Sequence, residues 1–304
     1  MSRHVLTIEE LSDESLALIY ALALEEPRDV LGGRAVALVF EQPSLRTRSA
    51  SSLAVRALGG WPIFITGEEI GLDRRESVED IGRTLATYYD TCALRVRDHA
   101  VFSRLASVVG DRLGLVNLLS AVAHPTQALA DVLTLAEHFS RGDPSGLAGL
   151  RVAYVGDVTN VARSLAVALR RLGADVVLGA PTPYQLSAGG PEDPRRVARG
   201  ALHLSDSAAE AVAGADVVYT DSWVSMGWEA ERAERTAALE MFRVTEELLA
   251  LASPDAVVLH CLPAHRGEEV SATVLDSDRS LVWRQVAHRV SAMRGVLRWM
   301  MEET

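Results

Sequence analysis

Apolar runs of five to seven residues alternate along the chain with stretches whose apolar positions recur every three or four residues. In the first half, AVALVF (35–40), PIFIT (62–66), TCALRV (91–96) and LGLVNLL (113–119) read as strands. Helical patterns near 46–58, 77–88 and 100–109 separate them. Pro125 opens a longer helix that runs through Ala128, Leu129, Val132, Leu133 and Leu135 toward His138. Turn formers from Ser140 to Gly146 then interrupt the pattern. It restarts with a strand at Leu150–Val155, a helix over roughly 160–172, and strands at 175–179, 216–220 and 256–260. The stretch 180–205 reads as irregular connection, and Val286–Met301 as a helix that returns to the first domain.

Repeated β-α-β units with nearly continuous apolar strands predict parallel sheets covered by helices on both faces. Ligands then bind beyond the carboxyl ends of the strands. A chain of 304 residues has room for about two such domains. The expected fold is therefore α/β with two domains, each a parallel sheet flanked by helices. They span residues 1–140 and 141–285, and a terminal helix over 286–304 packs back on the first.

Composition narrows the function classes. Hydrophobic content of 48% and charged content of 23% belong to a soluble globular protein. No apolar run approaches the roughly 20 residues needed to span a bilayer, and the acidic N-terminal stretch lacks the core of a signal peptide. No membrane partner is expected. Only Cys92 and Cys261 occur, which disfavours a disulfide framework and points to the cytoplasm. A net charge of −11 argues against nucleic acid as a partner. The sequence contains no lysine, so all 30 basic residues are arginine. That excludes a pyridoxal Schiff base and a Walker-type phosphate loop, and leaves planar guanidinium forks suited to oxyanions.

Five polar clusters follow predicted strands. Ser44-Leu45-Arg46-Thr47-Arg48 comes after AVALVF and a Glu41-Gln42-Pro43 break. At a helix start it offers backbone N–H groups, two hydroxyls and two guanidiniums to a phosphate-sized dianion, or simply caps a surface helix. His124-Pro125-Thr126-Gln127 places proline at the first helical position. His124 and Gln127 then lie within one turn, where they either donate to a carbonyl or serve as a structural helix start. Gly156-Asp157-Val158-Thr159-Asn160 lacks the GxGxxG spacing, so a dinucleotide fold is a poor match. Its Asn160 is either an N-cap or a ligand contact. Asp221-Ser222-Trp223-Val224-Ser225-Met226-Gly227 is either a turn or an amino-acid contact, with Asp221 for an ammonium and Ser225 for a polar head. His260-Cys261-Leu262-Pro263-Ala264-His265-Arg266-Gly267 has no second cysteine at zinc-ligand spacing, so no metal is assigned. A thiol nucleophile there would need a depressed pKa and an oriented base. Together the clusters offer donors for an anion, donors for a carbonyl and a partner for an amine. Those are the needs of acyl-type transfer from an anionic donor to an amine.

In order along nearly the whole chain, the segments FEQPSLRTR, ALGG, ESVEDIGRTL, LRV, HPTQALAD, YVGDVTN, YTDSWVSMG, HCLPAHRGEEV and VAHR resemble the aspartate/ornithine carbamoyltransferase family. HPTQALAD, SMG and HCLPAHRG are specific to it, and the last two favour its ornithine branch. The resemblance implies a carbamoyl phosphate-binding domain over 1–140 and an amino acid-binding domain over 141–285. It implies that the turn Ser44, Leu45, Arg46 and Thr47 holds the phosphate. Arg95, His124, Gln127 and Arg289 would hold the phosphate or the carbamoyl oxygen. Asn160, Asp221, Ser225 and Met226 would grip the amino acid, while Cys261 and the backbone of Leu262 face the reacting amine. Arg46, Arg95, His124, Asp221 and Cys261 form the implied catalytic set. The substrates are then carbamoyl phosphate and L-ornithine, with no metal or organic cofactor. The implied assembly is a homotrimer, or a multiple of trimers, with active sites at subunit interfaces.

Some positions depart from the family pattern. Leu45 stands where a threonine is usual, Trp228 where glutamine is usual, and His288 where asparagine is usual. The segment Gly67–Glu76, expected to reach a neighbour's site, offers only Arg74 and Arg75 as donors. These departures keep other amine acceptors in play: putrescine, an acylated ornithine or a specialised diamino acid. An inactive binding or regulatory member of the family is the non-enzymatic alternative.

Overall fold

The computed structural model describes residues 3–224 and 228–301. Along the chain come α1 (Asp13–Leu24), β1 (Ala35–Phe40), α2 (Leu45–Ala57), β2 (Trp61–Thr66), α3 (Gly67–Ile70) and α4 (Val78–Tyr88). β3 (Thr91–Arg95), α5 (Ala100–Val109), β4 (Gly114–Leu119) and α6 (Pro125–Ser140) follow. The later elements are β5 (Arg151–Val155), α7 (Asn160–Arg171), β6 (Asp175–Gly179), β7 (Leu202–Ser205), α8 (Ala208–Val212) and β8 (Val217–Thr220). The chain then forms α9 (Arg232–Leu239), α10 (Glu246–Leu249), β9 (Val257–His260), α11 (Ala272–Leu275) and α12 (Val282–Met301). These elements form two compact units, one of residues 1–130 and 287–304 and the other of residues 131–286. The divisions fall inside α6 and α12, and the Ser140–Gly146 turn lies within the second unit.

In the first unit four parallel strands run in the order β2-β1-β3-β4. Every residue of β3 is buried, as expected of a strand covered on both faces. Val78, Ile81 and Leu85 of α4 and Phe102 and Leu105 of α5 pack with Cys92, Leu94, Ala37 and Val39 of the sheet. Full burial of each large apolar side chain contributes about 1.5–3 kcal/mol. Cys92 belongs to this core, and burial pushes its thiol well above the usual range, so it is not a nucleophile. The second unit holds five parallel strands in the order β7-β6-β5-β8-β9. Its core gathers Ala153, Val177, Val218 and Val258 from the strands with Ala211, Val212, Leu249 and Val274 from the helices.

Both sheets reverse direction of growth once: between β1 and β3 in the first, and between β5 and β8 in the second. Crossovers leave in opposite senses at such a point, so a crevice opens at the strand carboxyl ends. The Ser44 turn and Arg95 lie beside the first reversal, and Asn160 and Asp221 beside the second.

The structure differs from expectation within 180–205. That stretch contains β7, which pairs with β6 from Val176↔Leu202 to Gly179↔Ser205. An edge strand is buried on fewer sides, so Leu202-His203-Leu204-Ser205 carries no continuous apolar run. No helix among the described residues is long and apolar enough to cross a membrane.

Candidate active site

At the carboxyl ends of β1, β3 and β4, the first unit assembles a cationic cluster. Ser44 caps α2, its hydroxyl accepting from the Thr47 N–H at 3.3 Å. Arg46 is half-buried in the first turn of α2, while Leu45 beside it is 78% exposed. From α12, Arg289 donates to Thr47 Oγ1 at 2.7 Å and to Gln127 Oε1 at 2.6 Å. Arg289 is only 7% exposed, and Arg95, His124 and Gln127 are buried. The sequence-predicted set Thr47, Gln127 and Arg289 is thus brought into direct contact. His124 is held well below the ordinary histidine pKa, first by burial and then by the Arg289 and Arg95 cations. It is therefore neutral near pH 7, and its ring can donate a hydrogen bond without first losing a proton. The whole arrangement suits an anion with a carbonyl attached: cations and a helix N-terminus for the charge, a neutral imidazole for the oxygen.

The second unit places a thiol and a carboxylate side by side. Thr220 and His260 pair across β8 and β9, so the residues that follow, Asp221 and Cys261, leave the sheet together. Cys261 Sγ donates to Asp221 Oδ1 at 2.9 Å, and the Ser222 N–H donates to the same oxygen at 2.7 Å. Leu262 adopts φ 61°, and its N–H donates to His260 Nδ1 at 2.8 Å. Ser222 Oγ donates to the Pro263 carbonyl at 2.6 Å, tying the two loops together. Asn160 opens α7 beside β5, and its Oδ1 accepts from the Val161 N–H at 2.9 Å. Ser225 and Met226 lie outside the described residues.

Among the described residues, two groups carry metal-ligand chemistry at close range: Asp221, His260 and Cys261, and His265, Glu268 and Glu269. In the first, the thiol hydrogen-bonds to Asp221 and the imidazole bridges Leu262 and Glu269. In the second, Arg232 donates to both oxygens of Glu268. These donors serve hydrogen bonds and ion pairs within the protein, and we assign no ion to either group.

Residues 3–137 match the family described as aspartate/ornithine carbamoyltransferase, carbamoyl-P binding domain. Residues 148–300 match the same family's Asp/Orn binding domain. The chain belongs to the aspartate/ornithine carbamoyltransferase family. An ornithine carbamoyltransferase from Ignicoccus hospitalis is 40% identical over 97% of both chains. The solved ornithine carbamoyltransferase from Pyrococcus furiosus superposes with a TM-score of 0.90 at 37% identity, covering 99% of this chain and 97% of that one. The one from Thermus thermophilus gives 0.86 at 34% identity, covering 99% and 100%. Within this carbamoyltransferase-family chain, the Arg289–Thr47–Gln127 contact joins three segments of the sequence resemblance. The Asp221–Cys261 pair joins two more.

Sequence reasoning did not pick out Arg235, Glu269 or a role for His260. Arg235 is 3% exposed, its guanidinium 2.5 Å from Asp157 and 3.0 Å from Glu231. It lies over the ring of Trp228 at 3.6 Å and that of Tyr184 at 5.2 Å. Trp228 thus packs against a cation that anchors the GDVTN turn. Burial pushes the Asp157 carboxyl above its ordinary pKa, and Arg235 opposes the shift. An arginine within an exposed helical pattern such as ERAERTAAL carries no local mark of this partnership.

Proposed function

We propose that this chain transfers the carbamoyl group of carbamoyl phosphate to the side-chain amine of L-ornithine, giving L-citrulline and phosphate. The observation that carries the reading is the buried Arg289–Thr47–Gln127 contact beside a neutral His124, in a chain that matches the family over nearly its whole length. Arg46, Arg95 and Arg289, with the Ser44 and Thr47 hydroxyls, take the phosphate. His124 and Gln127 take the carbamoyl oxygen. Asn160, Asp221, Ser225 and Met226 take the amino acid, and Cys261 with the Leu262 backbone faces its amine.

In this mechanism the unprotonated amine attacks the carbamoyl carbon. A C–N bond forms while the carbonyl oxygen becomes an oxyanion, against which the cations and the neutral imidazole are already oriented. The C–O bond to phosphorus-bound oxygen then breaks, and phosphate leaves with the electron pair. The amine proton passes to the departing phosphate. Cys261 stays a hydrogen-bonding thiol throughout and forms no covalent adduct.

The amine acceptor is the finer part of the reading. Retention of the SMG and HCLPAHRG segments supports ornithine, whereas Trp228 in place of glutamine supports a different diamine or diamino acid. Purified protein given carbamoyl phosphate and ornithine should release citrulline and phosphate in equal amounts. No product between about pH 7 and 9.5, where free amine becomes available, would refute carbamoyl transfer to ornithine. A screen in which an acceptor lacking an α-carboxylate outperforms ornithine would move the assignment to the second reading.

A homotrimer, a cytoplasmic setting and a role in arginine biosynthesis complete the proposal. Leu45, Leu53, Trp61 and Ile63 expose apolar surface on α2 and the edge strand β2, which association of copies would cover. Light scattering should return three times the chain mass or a multiple of it. Cys92 and Cys261, buried thiols that form no disulfide, suit a reducing compartment. The relative from Pyrococcus furiosus named anabolic favours the biosynthetic direction.

A further inference from the structure

His260 and Glu269 are both 0% exposed, and neither belongs to the substrate contacts assigned above. The Leu262 N–H points at His260 Nδ1, 2.8 Å away, so that nitrogen carries the lone pair and the ring proton sits on Nε2. Nε2 lies 3.2 Å from Glu269 Oε1, which also accepts from the His265 N–H at 2.5 Å. The backbone of His260 is pinned as well, its N–H donating to Gln285 Oε1 at 3.1 Å. Gln285 Nε2 in turn donates to Asp131 Oδ1 at 2.6 Å and to the Tyr219 hydroxyl at 3.0 Å. The ring is therefore held at both nitrogens, within a segment whose backbone is itself anchored.

What this hold secures is Leu262. At φ 61° a branched, non-glycine residue sits in the left-handed region, which it adopts only where its surroundings demand it. Leu262 follows Cys261, whose thiol is on Asp221, and precedes Pro263, whose carbonyl is on Ser222. Relaxation of Leu262 to an ordinary conformation would swing its carbonyl and shift the thiol beside it.

We propose that His260 and Glu269 are positioning residues, a buried pair that fixes the Leu262 backbone and with it the Cys261 thiol where the acceptor amine is received. This assignment rests on the reading of the chain as an ornithine carbamoyltransferase. It gives the neighbours of the thiol a division of labour: one imidazole nitrogen holds the backbone, the other holds the carboxylate that sets the tautomer.

Replacing His260 separates the two nitrogens. Asparagine places an acceptor near the Nδ1 position, and glutamine places a donor near the Nε2 position. His260→Gln should lower kcat with ornithine about a hundredfold and leave KM for carbamoyl phosphate within about threefold. His260→Asn should recover about tenfold of that loss, because the Leu262 N–H regains an acceptor. Glu269→Gln, which keeps an oxygen for both donors, should stay within about threefold of wild type. Equal kcat values for His260→Asn and His260→Gln would overturn the proposal, as would loss of carbamoyl phosphate KM in step with kcat. Failure of both His260 variants to fold would reduce the pair to a structural role and also overturn it. Wild-type protein that makes no citrulline would instead sink the reaction on which the assignment rests.

Discussion

Replacing Arg289 by alanine removes a guanidinium that donates to both Thr47 Oγ1 and Gln127 Oε1 from a site only 7% exposed. Two effects follow, and their sizes separate them. In the free protein the Gln127 and Thr47 oxygens lose a charged donor, which costs about 1–2 kcal/mol after water enters the vacated space. That corresponds to about 2–8 °C in Tm for a unit of this size. In the bound state a full cation is missing beside a phosphate dianion. At about 4 Å and an effective dielectric near 20, each unit of charge contributes about 4 kcal/mol. Water and the remaining Arg95 recover part of this, so the expected loss of transition-state stabilisation is about 3–4 kcal/mol. In kinetic terms kcat/KM for carbamoyl phosphate should fall about a hundred- to a thousandfold. Steady-state citrulline formation with carbamoyl phosphate varied at saturating ornithine reads this directly, and thermal melts control for folding. Activity within tenfold of wild type, in a protein that melts normally, would show that Arg289 does not meet the phosphate. The cationic cluster would then need another explanation.

Three further perturbations test other parts of the structure. Cys261→Ser keeps a hydroxyl for Asp221 and should reduce kcat only about two- to tenfold, while intact-mass spectrometry of wild type during turnover should find no carbamoyl adduct on Cys261; trapping such an adduct overturns the mechanism. Arg235→Met leaves the Asp157 carboxyl buried without its cation and should cost about 2–4 kcal/mol in urea denaturation. Because the Asp157 pKa is already raised, that loss should be larger at pH 8 than at pH 5, and a pH-independent loss would contradict the ion pair. His124 titrates below its unfolded value, so beneath about pH 6.5 the unfolded chain binds a proton that the folded chain refuses. Stability should therefore fall on acidification from about pH 6.5 toward 5, with His4 and His99 acting in the same sense, and His124→Asn should flatten the slope. An unchanged slope in that variant would mean that His124 is protonated in the native state.

Local patterning made most of the first unit legible. AVALVF, TCALRV and LGLVNLL are buried strands because parallel strands covered by helices need apolar residues on both faces, and such runs have few other uses. The clusters around Ser44, His124, Asp221 and Cys261 could be placed because each follows a strand end. The contacts that turn them into a site were not legible. Arg289 meets Thr47 and Gln127 across very long sequence separations; the family resemblance of VAHR, not its local pattern, marks that arginine out from Arg284 or Arg294. β7 was missed because an edge strand tolerates His203 and exposed Leu204. α1 was also missed, although Ser12 caps it and Asp13 and Glu14 fill its first turn as helix starts prefer. Nothing in HCLPAHRGEEV singles out Glu269, and only burial beside two histidines reveals its partners.

The two hydrogen bonds of Arg289 also constrain how the enzyme is born. They close loops of 162 and 242 residues, so Thr47 and Gln127 leave the ribosome long before the helix that will bridge them. A nascent chain stalled anywhere before α12 emerges lacks one of the cations of the cluster around Thr47 and Gln127. Completion of that cluster is thus among the last steps that synthesis allows, and a slow, late folding step is its natural kinetic signature.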